Sequence, residues 1–106
     1  MSEADNLEPD GSLVRQIAGG DSAAAEQLYR RHSGSLYALA YGVLMDPIDA
    51  DTVVEKTFDH ARQAAADFDP AAGAAYSWLT QIARAHAQAL AEMRREERNS
   101  GGYKAA

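Results

Sequence analysis

The fold is decided by the stretch from Ala74 to Arg98, which begins Ala-Ala-Tyr-Ser-Trp-Leu-Thr-Gln-Ile-Ala-Arg over residues 74–84. It contains the single tryptophan of the chain and runs without proline or glycine for about seven helical turns. This length and the spacing of its side chains predict a helix packed in a core, with Trp78 largely buried. The residues that recur at three- and four-residue spacing, on one helical face, are Leu79, Ile82, Ala83, His86, Leu90 and Met93.

A second long helix is predicted upstream, over about residues 22–45. Asp21 is a suitable N-cap for it. The apolar phase continues across Ser33-Gly34, which favours one helix bent at Gly34. Two shorter helices with a turn there are the alternative. The stripe of this helix consists of Ala25, Leu28, His32, Leu36, Leu39 and Val43.

Two shorter helices complete the prediction. Ser12 is a candidate N-cap for one that ends at Gly19-Gly20. Another starts near Asp49, after Asp46-Pro47 has ended the long helix. The last helix should end at residues 99–102. No segment has the two-residue period of a strand, so we expect an all-α compact bundle of about four helices over residues 12–98. Residues 1–11 are predicted to be a disordered acidic arm and residues 99–106 a flexible tail.

Composition limits the function classes. The 106 residues suffice for one domain with a modest core. Ten lysines and arginines against sixteen acids give a net charge of −6, which argues against strong DNA binding by the isolated chain. The chain has no cysteine, no secretory leader and no membrane-spanning stretch, so a cytoplasmic location without membrane contact is expected.

No recognisable catalytic or metal motif is found. His32, His60 and His86 lie on three different predicted helices, and no His-Glu-x-x-His run occurs. The acidic group at residues 46–51 lacks the glycine and distal glutamate of a calcium loop. Ser33-Gly34-Ser35 follows no strand, unlike a nucleophile elbow. We therefore expect a protein that is not an enzyme and has no cofactor, metal or small-molecule substrate.

The chain resembles region 2 of the extracytoplasmic-function sigma factors of bacterial RNA polymerase. The resemblance covers roughly Leu13 to Arg95 and implies a sigma region 2 bundle that acts in transcription initiation through core RNA polymerase and promoter DNA. Family members continue into a second helical domain, so the chain is expected to be either naturally short or a fragment. The residues that carry the resemblance most specifically are Phe68, Asp69, Pro70, Gly73, Trp78, Leu79, Ile82, Ala83 and Arg84.

The resemblance implies a partner site on the helix that starts near Asp49, which in the family contacts the polymerase clamp. The family pattern there is Asp-Ala-Glu-Asp-Val-Val-Gln-Glu-x-Phe. This chain has Thr52 for the second Asp, Glu55 for Gln and Lys56 for the second Glu, so the polar face is altered. The candidate residues for polymerase or a sigma regulator are Asp49, Asp51, Thr52, Val53, Glu55, Lys56 and Asp59.

The resemblance also implies a nucleic-acid face on the Trp78 helix. Family members have Asn at the position of Ala85 and Asp at that of Ala89, and alanine can neither hydrogen-bond nor stack on bases. Weak promoter binding is therefore expected, with the candidate residues Arg84, Ala85, Gln88, Ala89, Arg94 and Arg95.

Three functions stay open from the sequence. The chain is a working sigma module, a degenerate sigma mimic that binds an anti-sigma factor or another sigma regulator, or a non-catalytic structural bundle. All three require the same predicted core, which consists of Leu28, Leu36, Leu39, Val54, Phe58, Trp78, Leu79 and Ile82.

Overall fold

The computed structural model describes the backbone of residues 8–105 and the side chains of residues 8–100. This part of the chain contains four α-helices and no strand, which confirms the predicted all-α class. The elements are α1 (Asp10–Ala18), α2 (Ser22–Leu44), α3 (Pro47–Ala64), two 3-10 turns (Ala65–Asp67 and Pro70–Ala72) and α4 (Ala75–Ala105). Helices α2, α3 and α4 pack against one another, and α1 lies mainly against α2.

Side-chain caps and proline fix the starts of the two central helices. The Asp21 carboxylate accepts hydrogen bonds from the backbone N–H groups of Ala23 and Ala24, so it caps α2 as predicted. The Asp46 carboxylate accepts from the N–H of Asp49 at 2.9 Å, and Pro47 occupies the first turn of α3. Between these helices the chain reverses through Met45, which is left-handed at φ 54°.

Three helix boundaries differ from the prediction. Helix α1 begins at Asp10, before Ser12, whose hydroxyl donates to the Glu8 carboxylate instead of capping. Helix α3 begins before Asp49 because Asp46 is the cap. Helix α4 continues through residues 99–102 to Ala105, so the predicted stop there is wrong. Glycine disfavours a helix by only about 1 kcal/mol per residue and does not by itself end one.

Helix α2 is continuous across Gly34, so the alternative of two helices is not adopted. The predicted acidic arm falls mostly on residues 1–7, which lie outside the described residues. Within residues 8–105 no helix is both long and apolar enough to cross a lipid bilayer.

The core lies where α2, α3 and α4 meet. Thr57 is fully buried there, and its hydroxyl donates to the Val53 carbonyl at 2.7 Å. The hydroxyl therefore costs little to bury. The largest fully buried side chains are Leu13, Val14, Leu28, Leu36, Val53, Thr57 and Leu79.

Trp78 is only partly buried, which corrects the expectation of a largely buried tryptophan. Leu79 takes the central position, and one residue earlier on a helix the side chain points about 100° away. Trp78 packs at the edge of the core and against Phe68 of the connector, with ring centroids 4.9 Å apart at 44°. Leu39 and Phe58 are also partly buried against the core, whereas Leu28, Leu36, Val54 and Ile82 are buried.

Candidate interaction surfaces

A bidentate ion pair joins the start of α3 to the far half of α4. Arg94 Nε donates to Asp49 Oδ2 at 3.0 Å, and Arg94 Nη2 donates to Asp49 Oδ1 at 2.8 Å. Arg94 Nη1 also donates to Glu97 at 3.0 Å. The hydrogen bonds from Arg94 lower the pKa of Asp49, and those to Asp49 and then Glu97 raise the pKa of Arg94.

This ion pair corrects two predicted site residues. Asp49 is only 8% exposed, with its carboxylate turned to Arg94, so it is not part of an open partner surface. Arg94 is half-exposed, but two carboxylates already compensate its charge. The sequence showed no sign of this pairing, because the two residues are 45 positions apart.

The remaining candidates on α3 separate into a buried and an exposed set. Val53 is 0% exposed and belongs to the core, so it presents no surface to a partner in this structure. Asp51, Glu55 and Asp59 are exposed and four residues apart, which places them in one line along the helix. We name these three residues the acidic row. None of them forms a salt bridge with another side chain among residues 8–100.

Thr52 and Lys56 lie beside the acidic row. Thr52 is half-buried and its hydroxyl donates to the Ile48 carbonyl at 3.1 Å, so the hydroxyl serves its own helix. Lys56 is exposed. The altered positions are thus on the surface of α3, where substitutions leave the core intact.

Two large apolar side chains at the start of α3 were missed by the sequence reasoning. Ile48 is 75% exposed and Met45 is 71% exposed. The signal was present in the sequence: Ile48 directly follows Pro47, in the first turn of the helix, ahead of the stripe that begins at Ala50. Exposed apolar groups beside a charged row are typical of a protein-binding surface.

The candidate nucleic-acid residues of α4 are mostly exposed but weakly basic as a group. Arg84, Ala85, Gln88 and Ala89 are all exposed on α4. Arg95 pairs with Glu92 at 2.6 Å, one turn earlier. With Arg94 also compensated, Arg84 is the main uncompensated cation among the predicted residues.

The connector before α4 forms a second surface feature. From the sequence alone it served only to support the family resemblance. Its Gly73 has φ 155°, a backbone conformation open to glycine. Asp69 caps the second 3-10 turn by accepting from the N–H of Ala71 at 3.0 Å. The connector and α4 enclose a cavity of about 260 Å³ lined by Phe68, Asp69, Gly73, Ser77, Trp78 and Gln81, among others.

Two of the three histidines, His60 of α3 and His86 of α4, are in contact across the interface between these helices, which we call the seam. His60 Nδ1 lies 3.2 Å from His86 Nε2, and the rings are nearly perpendicular at 82°. Burial, His60 and then Lys56 lower the pKa of His86. His32 is separate: its Nε2 lies 2.7 Å from Asp10, and its ring contacts Tyr76. Among the described residues, no three His, Cys, Asp or Glu side chains converge as metal ligands would.

The amino-acid sequence of the chain is similar to those of known proteins. The family model for Sigma-70 region 2 matches residues 28–99. The ECF RNA polymerase sigma factor SigK of Mycolicibacterium vanbaalenii is 32% identical over 86 residues, which cover 81% of this chain and 43% of that protein. SigK of Mycobacterium tuberculosis is 30% identical over 86 residues, or 81% of this chain and 45% of the relative.

The chain thus spans a little under half the length of these relatives. No solved structure gives a significant match. The family model nevertheless covers more than half of the chain, and its matched range contains α3, the connector and most of α4. The chain therefore belongs to the Sigma-70 region 2 family, as a region 2 domain of the extracytoplasmic-function type.

Proposed function

We propose that the chain acts in transcription initiation, as a sigma region 2 module that binds core RNA polymerase through the exposed face of α3. Family membership supports a role that is not enzymatic. Two relatives are named as RNA polymerase sigma factors, and each extends well beyond the region matched here. The polymerase contact of this chain is therefore argued from its own surface.

The acidic row is the observation that carries the proposal. Asp51, Glu55 and Asp59 present three carboxylates in a line without a cationic partner among residues 8–100. Ile48 adds exposed apolar surface at one end of the line. An acidic line beside an apolar anchor complements a basic helical surface, and charge complementarity both speeds association and selects the partner.

The ion pair between Asp49 and Arg94 supports the same role indirectly. It holds the start of α3 against α4, so that the acidic row is presented on a fixed helix rather than on a mobile segment. Pre-organised surfaces lose less conformational entropy on binding. The clamp-facing surface is thus built as a rigid unit.

In this proposal, contacts with promoter DNA contribute less to binding than the contact with polymerase does. Ala85 and Ala89 give no hydrogen-bonding group on the exposed face of α4, and Arg95 is paired with Glu92. Contacts to phosphate supply most of the non-specific affinity for DNA. We therefore expect DNA contact to depend on the larger assembly with polymerase.

The test is a binding titration against purified core RNA polymerase. The variant carries Asp51→Lys and Asp59→Lys, which reverse two charges of the acidic row. The matched control is Glu96→Lys, the same charge change at an exposed position of α4. The double variant should bind at least roughly tenfold more weakly, whereas the control should stay close to the unmodified chain. Equal effects of both variants, or no binding by any of the three proteins, would contradict the proposal.

The second candidate function is that of a sigma mimic that binds an anti-sigma factor. This function is favoured by Lys56 beside the acidic row and by Ala85 and Ala89 of α4. These residues depart from those that the family uses to contact polymerase and promoter. The test uses a purified complex of a family sigma factor with its anti-sigma factor. Release of the sigma factor when the chain is added, together with no binding to core polymerase, would favour the mimic. No release would leave the polymerase-binding module as the better account.

A further inference from the structure

We propose that His60 and His86 form a binding site for a divalent transition-metal ion, such as Zn²⁺, that bridges α3 and α4. This site is separate from the acidic row and does not depend on the proposed function. It departs from the expectation of no metal, which rested on sequence motifs, because the two histidines lie 26 residues apart on different helices. Only the packing of α3 on α4 brings them together.

The separation of the two nitrogens suits chelation. His60 Nδ1 and His86 Nε2 are 3.2 Å apart. At zinc–nitrogen distances of roughly 2.0–2.1 Å, nitrogens at this spacing subtend an angle of about 100° at the ion, close to tetrahedral. The two nitrogens lie at the surface within hydrogen-bonding distance of each other, and the rings are nearly perpendicular. To hold one ion, both side chains would rotate so that their lone pairs point at the ion instead of at each other.

The backbone positions of the two histidines are held by the core. His60 precedes Ala61, which is 3% exposed, and His86 lies between Ala83 and Ala87, both 0% exposed. These small residues let the helices approach closely, so the packing of α3 on α4 sets the separation of the two histidine backbones. A chelate built on rigid helices loses little conformational entropy when it binds a metal ion.

The donor set determines which ion fits and how tightly. Neutral imidazole nitrogens bind Zn²⁺, Cu²⁺ and Ni²⁺ in preference to Mg²⁺ or Ca²⁺. Among the described residues no third His, Cys, Asp or Glu joins the pair, so the other coordination positions of a bound ion would be left to water. Such a site binds less tightly than a four-ligand structural zinc site. Lys56 acts on His86 as a positive charge and therefore opposes a bound cation.

A bound ion would tie the helix that carries the acidic row to the helix that carries the nucleic-acid face. The link lies on the seam, at a distance from the Asp49–Arg94 pair, and adds a second tie between the same two helices. A ligand that binds only the folded chain stabilises it by mass action. Zn²⁺ should therefore raise the melting temperature of the unmodified chain.

The experiment is calorimetric titration of the full, tag-free chain with a zinc salt alone. The test variants are His60→Asn and His86→Gln, because the amide of each places a polar atom near the nitrogen that is removed. His32→Asn is the matched control, since His32 contacts Asp10 and Tyr76, away from the seam. Circular dichroism verifies that all variants are folded. Lys56→Gln removes the opposing charge.

We expect one zinc ion per chain, with affinity lowered roughly tenfold or more by either test variant, because a single imidazole lacks the high effective concentration of a fixed chelate. His32→Asn should bind like the unmodified chain, and Lys56→Gln should bind more tightly. In nitrogen NMR spectra, zinc should shift Nδ1 of His60 and Nε2 of His86 while leaving His32 unchanged. Absence of binding, or binding that persists in both test variants, would overturn the proposal.

Discussion

Arg94 of α4 donates two hydrogen bonds to the carboxylate of Asp49, which lies in the first turn of α3. The carboxylate also sits at the positive end of the α3 helix dipole, so both influences favour its charged form. The pair ties the start of α3, the helix that carries the acidic row, to the far half of α4. It also turns the Asp49 carboxylate away from the open surface, whereas Arg94 stays half-exposed.

The ion pair predicts how stability depends on pH. The pKa of Asp49 is lowered below its ordinary value of 3.8, so its contribution to stability is full above that value. The contribution is lost as the pH falls from about 4 through the lower pKa of the folded state. In urea melts, Asp49→Asn should unfold at lower urea than the unmodified chain near neutral pH, and the gap should shrink under strongly acidic conditions. Asp59→Asn is the control, and a gap of equal size for both variants would show that the pairing contributes nothing.

The burial of Leu79 and Trp78 predicts which of their alanine substitutions lowers the unfolding free energy more. Leu79 is 0% exposed, and Leu79→Ala should cost about 2–5 kcal/mol of unfolding free energy. Trp78 is only partly buried against Phe68, so Trp78→Ala should cost less despite the larger side chain. Chemical denaturation of both variants tests the order. A larger loss for Trp78→Ala would mean that the tryptophan lies deeper than this packing allows.

DNA binding by the isolated chain should be weak and little dependent on sequence. The net charge is −6, and of the three predicted arginine contacts Arg94 and Arg95 are paired with carboxylates on α4, whereas no such pair is seen for Arg84 among residues 8–100. In fluorescence anisotropy with single-stranded promoter DNA, Arg84→Ala should reduce the slope of log K against log salt by roughly 0.7, the value for one phosphate contact. Arg95→Ala should change it less. Submicromolar, sequence-selective binding near physiological salt would contradict this expectation.

The sequence predicted those parts of the fold that depend on local spacing. The three- and four-residue stripes located α2 and α4, and Asp21 was a reliable start signal because a cap bonds within its own turn. Helix ends were harder to predict, as the passage of α4 through residues 99–102 shows. Glycine weakens a helix without dictating its end.

The site was predicted less completely, because its decisive contacts are not local. The altered polar residues of α3 could be recognised by comparison with the family pattern. The ion pair between Asp49 and Arg94 and the contact between His60 and His86 join positions far apart in the chain. No period or motif in a single sequence encodes such pairs, so only the packed helices reveal them.

The most direct test of the account is a titration of core RNA polymerase with the unmodified chain and with the triple variant Thr52→Asp, Glu55→Gln, Lys56→Glu. All three positions are at the surface of α3, so the fold should be unchanged in circular dichroism. Lys56 places a positive charge where the family has a negative one, and mismatched charges in a desolvated contact cost about 2 kcal/mol or more. The account predicts that the triple variant binds roughly thirtyfold more tightly than a weakly binding unmodified chain. Weaker binding by the triple variant than by the unmodified chain, or no binding by either protein, would contradict it.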